Sequence, residues 1–170
     1  MNTVEEHRRE APDTVACMIV TVSDTRTTAT DKSGQLMREL LEREGYIVAA
    51  QTIVKDDYDQ VRSLITTASE HKDIQAVLLT GGTGISRRDT TFEAVTSLLD
   101  KELTGFGEIF RSLSYEEIGS AAILSRAIGG TVGDTAVFSM PGSANAVRLA
   151  MEKILLPELR HVVREIRKPQ

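Results

Sequence analysis

Apolar runs alternate with polar segments along the first half of the chain and predict strands and helices in turn. Three apolar, β-branched runs, at residues 15–22, 46–54 and 74–80, have the length of buried strands. Between them, apolar residues recur at the spacing of one helix face: Leu36, Met37, Leu40 and Leu41, then Val61, Leu64, Ile65 and Ala68. Because the connections are too long for hairpins, the pattern predicts right-handed crossovers and a parallel sheet with helices on both faces, an α/β class.

The second half of the chain continues this pattern with more interruptions. Its predicted elements are, in order, a helix at 92–99, a largely helical stretch at 108–126 that breaks near Gly119, two short strands within 127–140 separated by Gly133-Asp134, and a last helix at 144–156 that restarts at Pro157 and runs to about Arg167. The strand that ends near residue 80 is followed by a glycine-rich loop and then by a helix.

The composition fits one globular domain. The chain has 170 residues, of which 41% are hydrophobic and 26% charged, and such a chain builds a core without disulfides or a structural metal. We expect a single domain over 14–168, preceded by a flexible, solvated tail at 1–13 that lacks the apolar stretch of a secretory signal. Every apolar run is far shorter than the ~18 residues that a membrane span requires, so no membrane partner is expected.

Charge and cysteine content narrow the classes of partner and compartment. With 20 Lys+Arg against 25 Asp+Glu, the net charge of -5 argues against a general nucleic-acid binder. Cys17 is the single cysteine, lies in the first apolar run and is expected to be inert core. A cytoplasmic location fits such a chain best. The three histidines, His7, His71 and His161, are widely separated and are assigned no catalytic role.

Three polar loops, at residues 23–30, 81–91 and 141–143, each follow a predicted strand. If the strands are parallel, all three loops lie at the carboxyl edge of the sheet, where open α/β folds hold their ligands. This shared position is the main indication of a functional site.

The loop Gly81-Gly82-Thr83-Gly84 lets the backbone turn its N–H groups toward an anion, next to the amino terminus of a helix. Phosphate is the ligand that such a loop suits best. The sequence is neither a Walker A motif nor GxGxxG, since Arg87 stands where the third glycine would be. A bare turn is an equally good reading of these local features.

Charged residues next to this loop have two interpretations. In the first, the two cations and the carboxylate of Arg87, Arg88 and Asp89 neutralise phosphates and bind a hard cation such as magnesium. In the second, Asp89 or one of the threonines after it caps the following helix. A second acidic cluster, Asp56-Asp57-Tyr58-Asp59, follows the second strand, where one carboxylate could again cap a helix.

The two remaining loops carry weaker signals. Ser23 and Asp24, with Arg26 nearby, suit a polar heterocycle or a phosphate, and simple solvation also explains them. Pro141-Gly142-Ser143 either directs backbone N–H groups and a hydroxyl at a ligand or is an ordinary helix entrance capped by Ser143.

The aromatic residues Phe106, Phe110 and Tyr115 are expected to pack rather than to stack on bases, with subunit contact as another use.

Taken together, these motifs resemble the MoaB/MogA molybdopterin-binding family. The resemblance covers about residues 13–168. It rests on a linked set of segments: Thr21-Val22-Ser23-Asp24-Thr25-Arg26, Thr80-Gly81-Gly82-Thr83-Gly84-Ile85, Arg87-Arg88-Asp89-Thr90, Gly105-Phe106-Gly107-Glu108-Ile109-Phe110-Arg111 and Ser139-Met140-Pro141-Gly142-Ser143. The segment Leu113-Ser114-Tyr115-Glu116-Glu117-Ile118-Gly119 is more similar to the B branch than to the MogA branch.

The resemblance implies a three-layer α/β/α sandwich, a homo-oligomer (trimer or hexamer) and a molybdopterin pocket. Active members transfer AMP from Mg-ATP to the terminal phosphate of molybdopterin. The family's two acidic positions correspond to Asp89 and to Asp56, with Asp57 as a competitor for the second. In this hypothesis Asp89 binds Mg2+. The substrate-binding residues are then Ser23, Asp24, Gly81, Gly82, Thr83, Gly84, Arg88, Pro141, Gly142 and Ser143.

Some B-branch members are not adenylyltransferases, so a second hypothesis is a non-catalytic molybdopterin-binding or delivery protein of the same pathway. A third is an oligomeric scaffold that binds neither molybdopterin nor ATP. Measurement of ligand binding and of pyrophosphate release separates the three hypotheses.

Overall fold

A six-stranded sheet forms the centre of the protein in a computed structural model that describes residues 2–169. The strands are β1 (Ala16–Val22), β2 (Ile47–Val54), β3 (Ala76–Thr80), β4 (Lys101–Glu102), β5 (Ile128–Val132) and β6 (Thr135–Met140), in the order β2-β1-β3-β6-β5-β4. β2, β1, β3 and β6 are parallel, whereas β5 is antiparallel to both β6 and β4. The predicted mostly parallel sheet is therefore confirmed.

Helices cover both faces of the sheet. They are α1 (Thr3–Arg9), α2 (Lys32–Arg43), α3 (Tyr58–Glu70), α4 (Thr91–Leu98), α5 (Thr104–Ile118), a 3-10 helix (Gly119–Leu124), α6 (Ala144–Ala150), a π-helical turn (Met151–Leu155) and α7 (Leu156–Ile166). Within residues 2–169, the helices are all too short or too polar to cross a membrane.

Two separate hydrophobic clusters give the protein its three layers. Alternate residues of a strand point to opposite faces, so Ile19 packs with α2, α5, α6 and α7 on one side, while Val20 packs with α3 and α4 on the other. The predicted α/β/α sandwich is confirmed.

Cys17 is fully buried, and burial raises the pKa of its thiol to about 12, as expected of inert core. The cytoplasmic location stays a prediction.

Two aromatic residues of α5 pack as predicted and one does not. Phe106 and Phe110 are buried, and the Phe106 ring meets the Phe138 ring edge-on with centroids 4.9 Å apart. Tyr115 is 63% exposed. α5 also begins four residues before the predicted start at 108, because packing of Phe106 outweighs the poor helix propensity of its flanking glycines.

The carboxy-terminal helix changes its winding before Pro157. The prediction of one helix over 144–156 is wrong in detail: α6 ends at Ala150 and a π-helical turn joins it to α7. Pro157 lacks an N–H group and its ring crowds the carbonyl four residues earlier, so a regular helix is disfavoured there. The wider π turn accommodates the proline without ending the helical path.

The amino-terminal segment contains helix α1 where the sequence predicts a solvated tail. All seven residues of α1 are exposed or half-buried, so burial is not what orders it. Asn2 caps the helix and Glu5 completes a capping box. Ion pairs between α1 and α7 hold it against the domain, among them Arg8 with Glu158.

Candidate functional site

Polar loops that follow four neighbouring parallel strands meet at one edge of the sheet. Because the strands are parallel, their carboxyl ends lie together. Hydrogen bonds join the loops directly: the Asp56 amide donates to Asp24 Oδ1 at 3.1 Å, and the Gly81 amide donates to the Met140 carbonyl at 3.0 Å. The loops at this edge are residues 23–31, 55–57, 81–90 and 141–143. The structure thus brings together the segments that carry the candidate site residues.

The glycine loop (residues 81–84) has a backbone that only glycine adopts readily. Gly81 has φ of +100° and Gly82 has φ of +68°. A side chain at Gly81 would overlap the Val22 carbonyl, and one at Gly82 would overlap the Thr91 hydroxyl. The loop therefore lies directly against its neighbours.

Asp56 and its neighbour Asp57 have different roles in the structure. Asp57 is the N-cap of α3 and accepts a hydrogen bond from the Gln60 amide at 2.9 Å. Asp56 is 6% exposed, and its Oδ1 accepts hydrogen bonds from the Thr90 amide at 3.0 Å and hydroxyl at 2.8 Å. Its Oδ2 lies against Gly82, 2.9 Å from where a Cβ would stand. This geometry favours Asp56 over Asp57 as the site carboxylate.

Asp89 lies against a different residue of the same loop, Gly84. Its Oδ2 accepts hydrogen bonds from the Ser86 amide at 3.1 Å and hydroxyl at 2.7 Å, and it is close to Gly84. The capping alternative for this carboxylate is wrong, because Thr90 occupies the N-cap position of α4 and its hydroxyl bonds to Asp56. Two carboxylates therefore flank one glycine loop.

An exposed ion pair joins the first polar loop to the glycine-loop segment. Arg88 donates to both carboxylate oxygens of Asp24, at 2.7 and 3.0 Å. The hydrogen bond from Arg88 lowers the pKa of Asp24, and the pKa of Arg88 is raised in return. Ser23 turns its hydroxyl oxygen inward to accept from the amides of Thr25 and Arg26, so its side chain shapes its own loop.

The segment before α6 combines a helix cap with close backbone packing. Ser143 is the N-cap and accepts from the Ala146 amide at 3.1 Å, so the helix-entrance interpretation of its side chain holds. The Gly142 carbonyl accepts from the Ser33 hydroxyl at 2.7 Å. The Pro141 backbone lines the same groove as the glycine loop.

An open groove of about 430 Å³ runs beside the glycine loop. This volume is in the range of small-molecule sites. Its opposite wall comes from α5 and the 3-10 helix, with Phe110, Ser114, Ile118, Ala121, Leu124 and Ser125. Sequence reasoning missed this wall, because these residues meet the loop only in the folded chain. Gly119 is the one local indication of this wall in the sequence, because its φ of +67° ends α5 and turns the chain into the 3-10 helix.

Arg126 is a further residue of the candidate site that the sequence did not reveal. Its guanidinium donates to the Thr83 carbonyl at 3.1 Å and also to the Gly84 carbonyl. It pairs with Glu93 and lies over the Phe92 ring, 4.8 Å from the centroid. Arg126 therefore ties the outer end of the glycine loop to α4.

Substitution of Arg126 by glutamine is expected to loosen the glycine loop. A hydrogen bond from a charged donor contributes about 1.5–3 kcal/mol, so the loss of one of the two bonds to the loop should make local opening about 10- to 150-fold more frequent. Hydrogen exchange at the amides of residues 83–86 measures this opening. Arg111→Gln is the control, since Arg111 donates to the Ala127 carbonyl instead. Equal exchange in the two variants would contradict the proposed role of Arg126.

Comparison with known proteins identifies the family. A family model described as a probable molybdopterin binding domain matches residues 18–161. A molybdenum cofactor biosynthesis protein B from Halalkalibacterium halodurans is 61% identical over 167 residues, which cover 98% of this chain and 98% of that protein.

Solved structures agree with this assignment. A crystal structure of a molybdenum cofactor biosynthesis protein B matches with a TM-score of 0.91 at 56% identity, covering 94% of this chain and 100% of that one. The tungsten cofactor synthesizing protein MoaB from Pyrococcus furiosus matches with a TM-score of 0.81 at 40% identity, covering 93% and 100%. The chain therefore belongs to the molybdenum cofactor biosynthesis protein B (MoaB) family, within the family of probable molybdopterin-binding domains.

Proposed function

We propose that this protein acts in molybdenum cofactor biosynthesis as a molybdopterin adenylyltransferase. The observation that carries the proposal is the position of two carboxylates against one glycine loop, Asp56 near Gly82 and Asp89 near Gly84. That loop also lines a groove large enough for a pterin. Membership of the MoaB family supports molybdopterin as the ligand.

The proposed reaction needs no protein nucleophile. An oxygen of the terminal phosphate of molybdopterin attacks the α-phosphorus of ATP and forms a new P–O bond. The bond from that phosphorus to the oxygen bridging to the β-phosphate breaks, and pyrophosphate leaves with the electron pair. Positioning and charge neutralisation supply most of the catalysis in such a step. The amides of Gly82, Thr83 and Gly84 would bind phosphate oxygens, and the Arg88 guanidinium would do so on exchanging Asp24 for phosphate.

Asp89 is the residue that we expect to hold Mg2+. Its Oδ2 is occupied by Ser86, while its Oδ1 accepts no hydrogen bond from residues 2–169. A carboxylate oxygen held in this way suits the hard, oxygen-preferring Mg2+. When bound with ATP, the ion neutralises phosphate charge. Asp56 is oriented by Thr90 and offers its Oδ2 toward the glycine loop, where it would position the metal or the substrate.

The groove wall suggests how molybdopterin would be held. The exposed apolar side chains of Ile118 and Leu124 lie across the groove from the glycine loop and would offer a surface for the pterin ring, with the buried Phe110 beneath them. The polar side supplies backbone groups of Pro141, Gly142 and Ser143 together with the glycine loop. Ser23 and Asp24 lie in the neighbouring loop and would complete the polar side.

A non-catalytic molybdopterin-binding protein is the second candidate, favoured by the Asp24–Arg88 pair. Arg88 is held by two hydrogen bonds from its guanidinium to a carboxylate. A phosphate must therefore compete with Asp24 for this cation. If the pair persists, the groove binds the pterin but Arg88 does not neutralise the charge of the transferring group.

Exposed apolar residues on α5 and the 3-10 helix support a homo-oligomer, either a trimer or a hexamer. Tyr115 is 63% exposed and Ile123 80%, and contact with a second copy of the chain would remove these large side chains from water. Sedimentation equilibrium of the full chain measures the state, and a monomer at micromolar concentration would contradict this proposal.

Pyrophosphate release from purified protein given molybdopterin, ATP and magnesium tests the main proposal. The expected result is release of one pyrophosphate per adenylyl-molybdopterin, with the product identified by its mass. Molybdopterin binding without product would support the second candidate instead. Binding of neither ligand would leave the scaffold hypothesis.

A further inference from the structure

Two histidines and two glutamates come together where α1 meets α7, outside the groove. His7 Nδ1 lies 3.4 Å from Glu165 Oε1, and His161 Nε2 lies 4.0 Å from the same oxygen. One ligand atom from each of these three residues lies within 4.8 Å of the others. His161 Nδ1 lies 3.0 Å from Glu158 Oε2.

We propose that His7, His161 and Glu165 form a binding site for a borderline divalent transition-metal ion of the Zn2+ class. Imidazole nitrogen and carboxylate oxygen are ligands that Zn2+ favours, and three protein ligands leave one position for water. Neither the glycine-loop groove nor the proposed reaction involves these residues, so this site is independent of the proposed function.

The spacing of the ligand atoms is close to that of a tetrahedral site. With metal–ligand bonds of about 2.0–2.1 Å, two ligand atoms of a tetrahedral ion are ~3.3 Å apart. The His7–Glu165 distance of 3.4 Å already matches this edge. His161 Nε2 must approach Glu165 by less than about 1 Å, within the reach of small side-chain rotations. The ligand nitrogens of His7 and His161, at most 4.8 Å apart, must also approach each other by up to about 1.5 Å.

Glu158 orients the His161 ring for this role. It accepts a hydrogen bond from Nδ1–H, which leaves Nε2, the nitrogen nearer Glu165, with its lone pair free. A metal-bound histidine commonly donates its other N–H to a carboxylate in this way. The carboxylate–histidine pair is therefore already formed.

Basic residues around the cluster set a limit on its affinity. Arg164 Nη1 lies 2.6 Å from Glu165 Oε1, and Lys168 Nζ lies 3.1 Å from Oε2. A metal on Oε1 must displace Arg164, but Arg164 also pairs with Glu10 and so keeps a carboxylate partner. Lys168 can stay on Oε2. We expect binding that is specific but weaker than in a closed structural zinc site.

The site would tie the two ends of the chain together. His7 and His161 belong to helices at opposite ends of the sequence, and none of the residues of α1 between 3 and 9 is buried. Ion pairs with α7 help to hold α1, and a metal bound between α1 and α7 would stabilise this docking further.

Titration of the full, untagged chain with ZnCl2 at neutral pH tests the proposal, with hydrogen exchange of the α1 amides as a second readout. Wild type should bind one ion and its α1 amides should become protected. His7→Asn and His161→Asn should each weaken binding at least about 10-fold and abolish that protection, and Glu158→Gln should weaken it less. His71→Asn is the control, since His71 lies on the exposed end of α3.

Two results of the Zn2+ titration would overturn the proposal. One is equal Zn2+ affinity in wild type and His7→Asn, and the other is Zn2+ binding that leaves α1 exchange unchanged. Either would make the cluster an ion-pair network that docks α1. A parallel titration with MgCl2 should give no protection of α1, because Mg2+ prefers oxygen ligands; equal protection by Mg2+ would also overturn the proposal.

Discussion

Asp89→Asn is expected to reduce the rate of adenylyl transfer by about 100- to 1000-fold, the effect typical of losing one charged group that acts on the transition state. Asparagine keeps the shape of the side chain, and its carbonyl oxygen can accept the hydrogen bonds from Ser86. What is lost is the negative charge that would hold Mg2+ at the ATP phosphates. Pyrophosphate release under saturating ATP and molybdopterin measures the effect.

Asp57→Asn is the matched control for this prediction. Asp57 belongs to the acidic cluster after β2 but caps α3, and asparagine is as good an N-cap as aspartate. Its turnover and its thermal midpoint should equal those of wild type. If Asp89→Asn also turns over at the wild-type rate, Asp89 has no catalytic role.

Gly82→Ala should reduce the free energy of unfolding by about 2–4 kcal/mol and abolish ligand binding in the groove. Gly82 has φ of +68°, where a Cβ costs energy by itself, and that Cβ would overlap the Thr91 hydroxyl and approach Asp56 Oδ2 at 2.9 Å. Thr91 is fully buried, so it has little room to move. Relief of the overlap therefore requires the glycine loop to shift. Urea unfolding and molybdopterin titration measure the two effects.

Gly133→Ala is the control that separates the cost of a positive φ from the cost of steric overlap at Gly82. Gly133 has φ of +57°, but nothing lies within 4 Å of the position of its Cβ. This variant should lose only about 1 kcal/mol and should bind molybdopterin normally. If the two glycine variants lose equal stability and both still bind, close packing around Gly82 does not shape the site.

The site was predictable from sequence where its signal is local. The glycine loop shows directly in the chain because glycine is the residue that tolerates positive φ, and its place after a buried strand implied the carboxyl edge of the sheet. Asp89 was a candidate for the same reason, since it follows that loop within a few residues, and its role in the site stays a prediction. Choosing between Asp56 and Asp57 was not possible, because either could have capped α3.

The sequence by itself determined the α/β class, the parallel strands and the segments that bear the candidate site, because hydrophobic periodicity and glycine conformation are local properties. Tertiary structure alone decided that Asp57 caps a helix while Asp56 faces the glycine loop. It also decided that Arg126 binds the loop from 42 residues away and that α5 supplies the opposite groove wall. These contacts join residues distant in the chain, and their energies depend on burial and geometry that arise only when the layers pack.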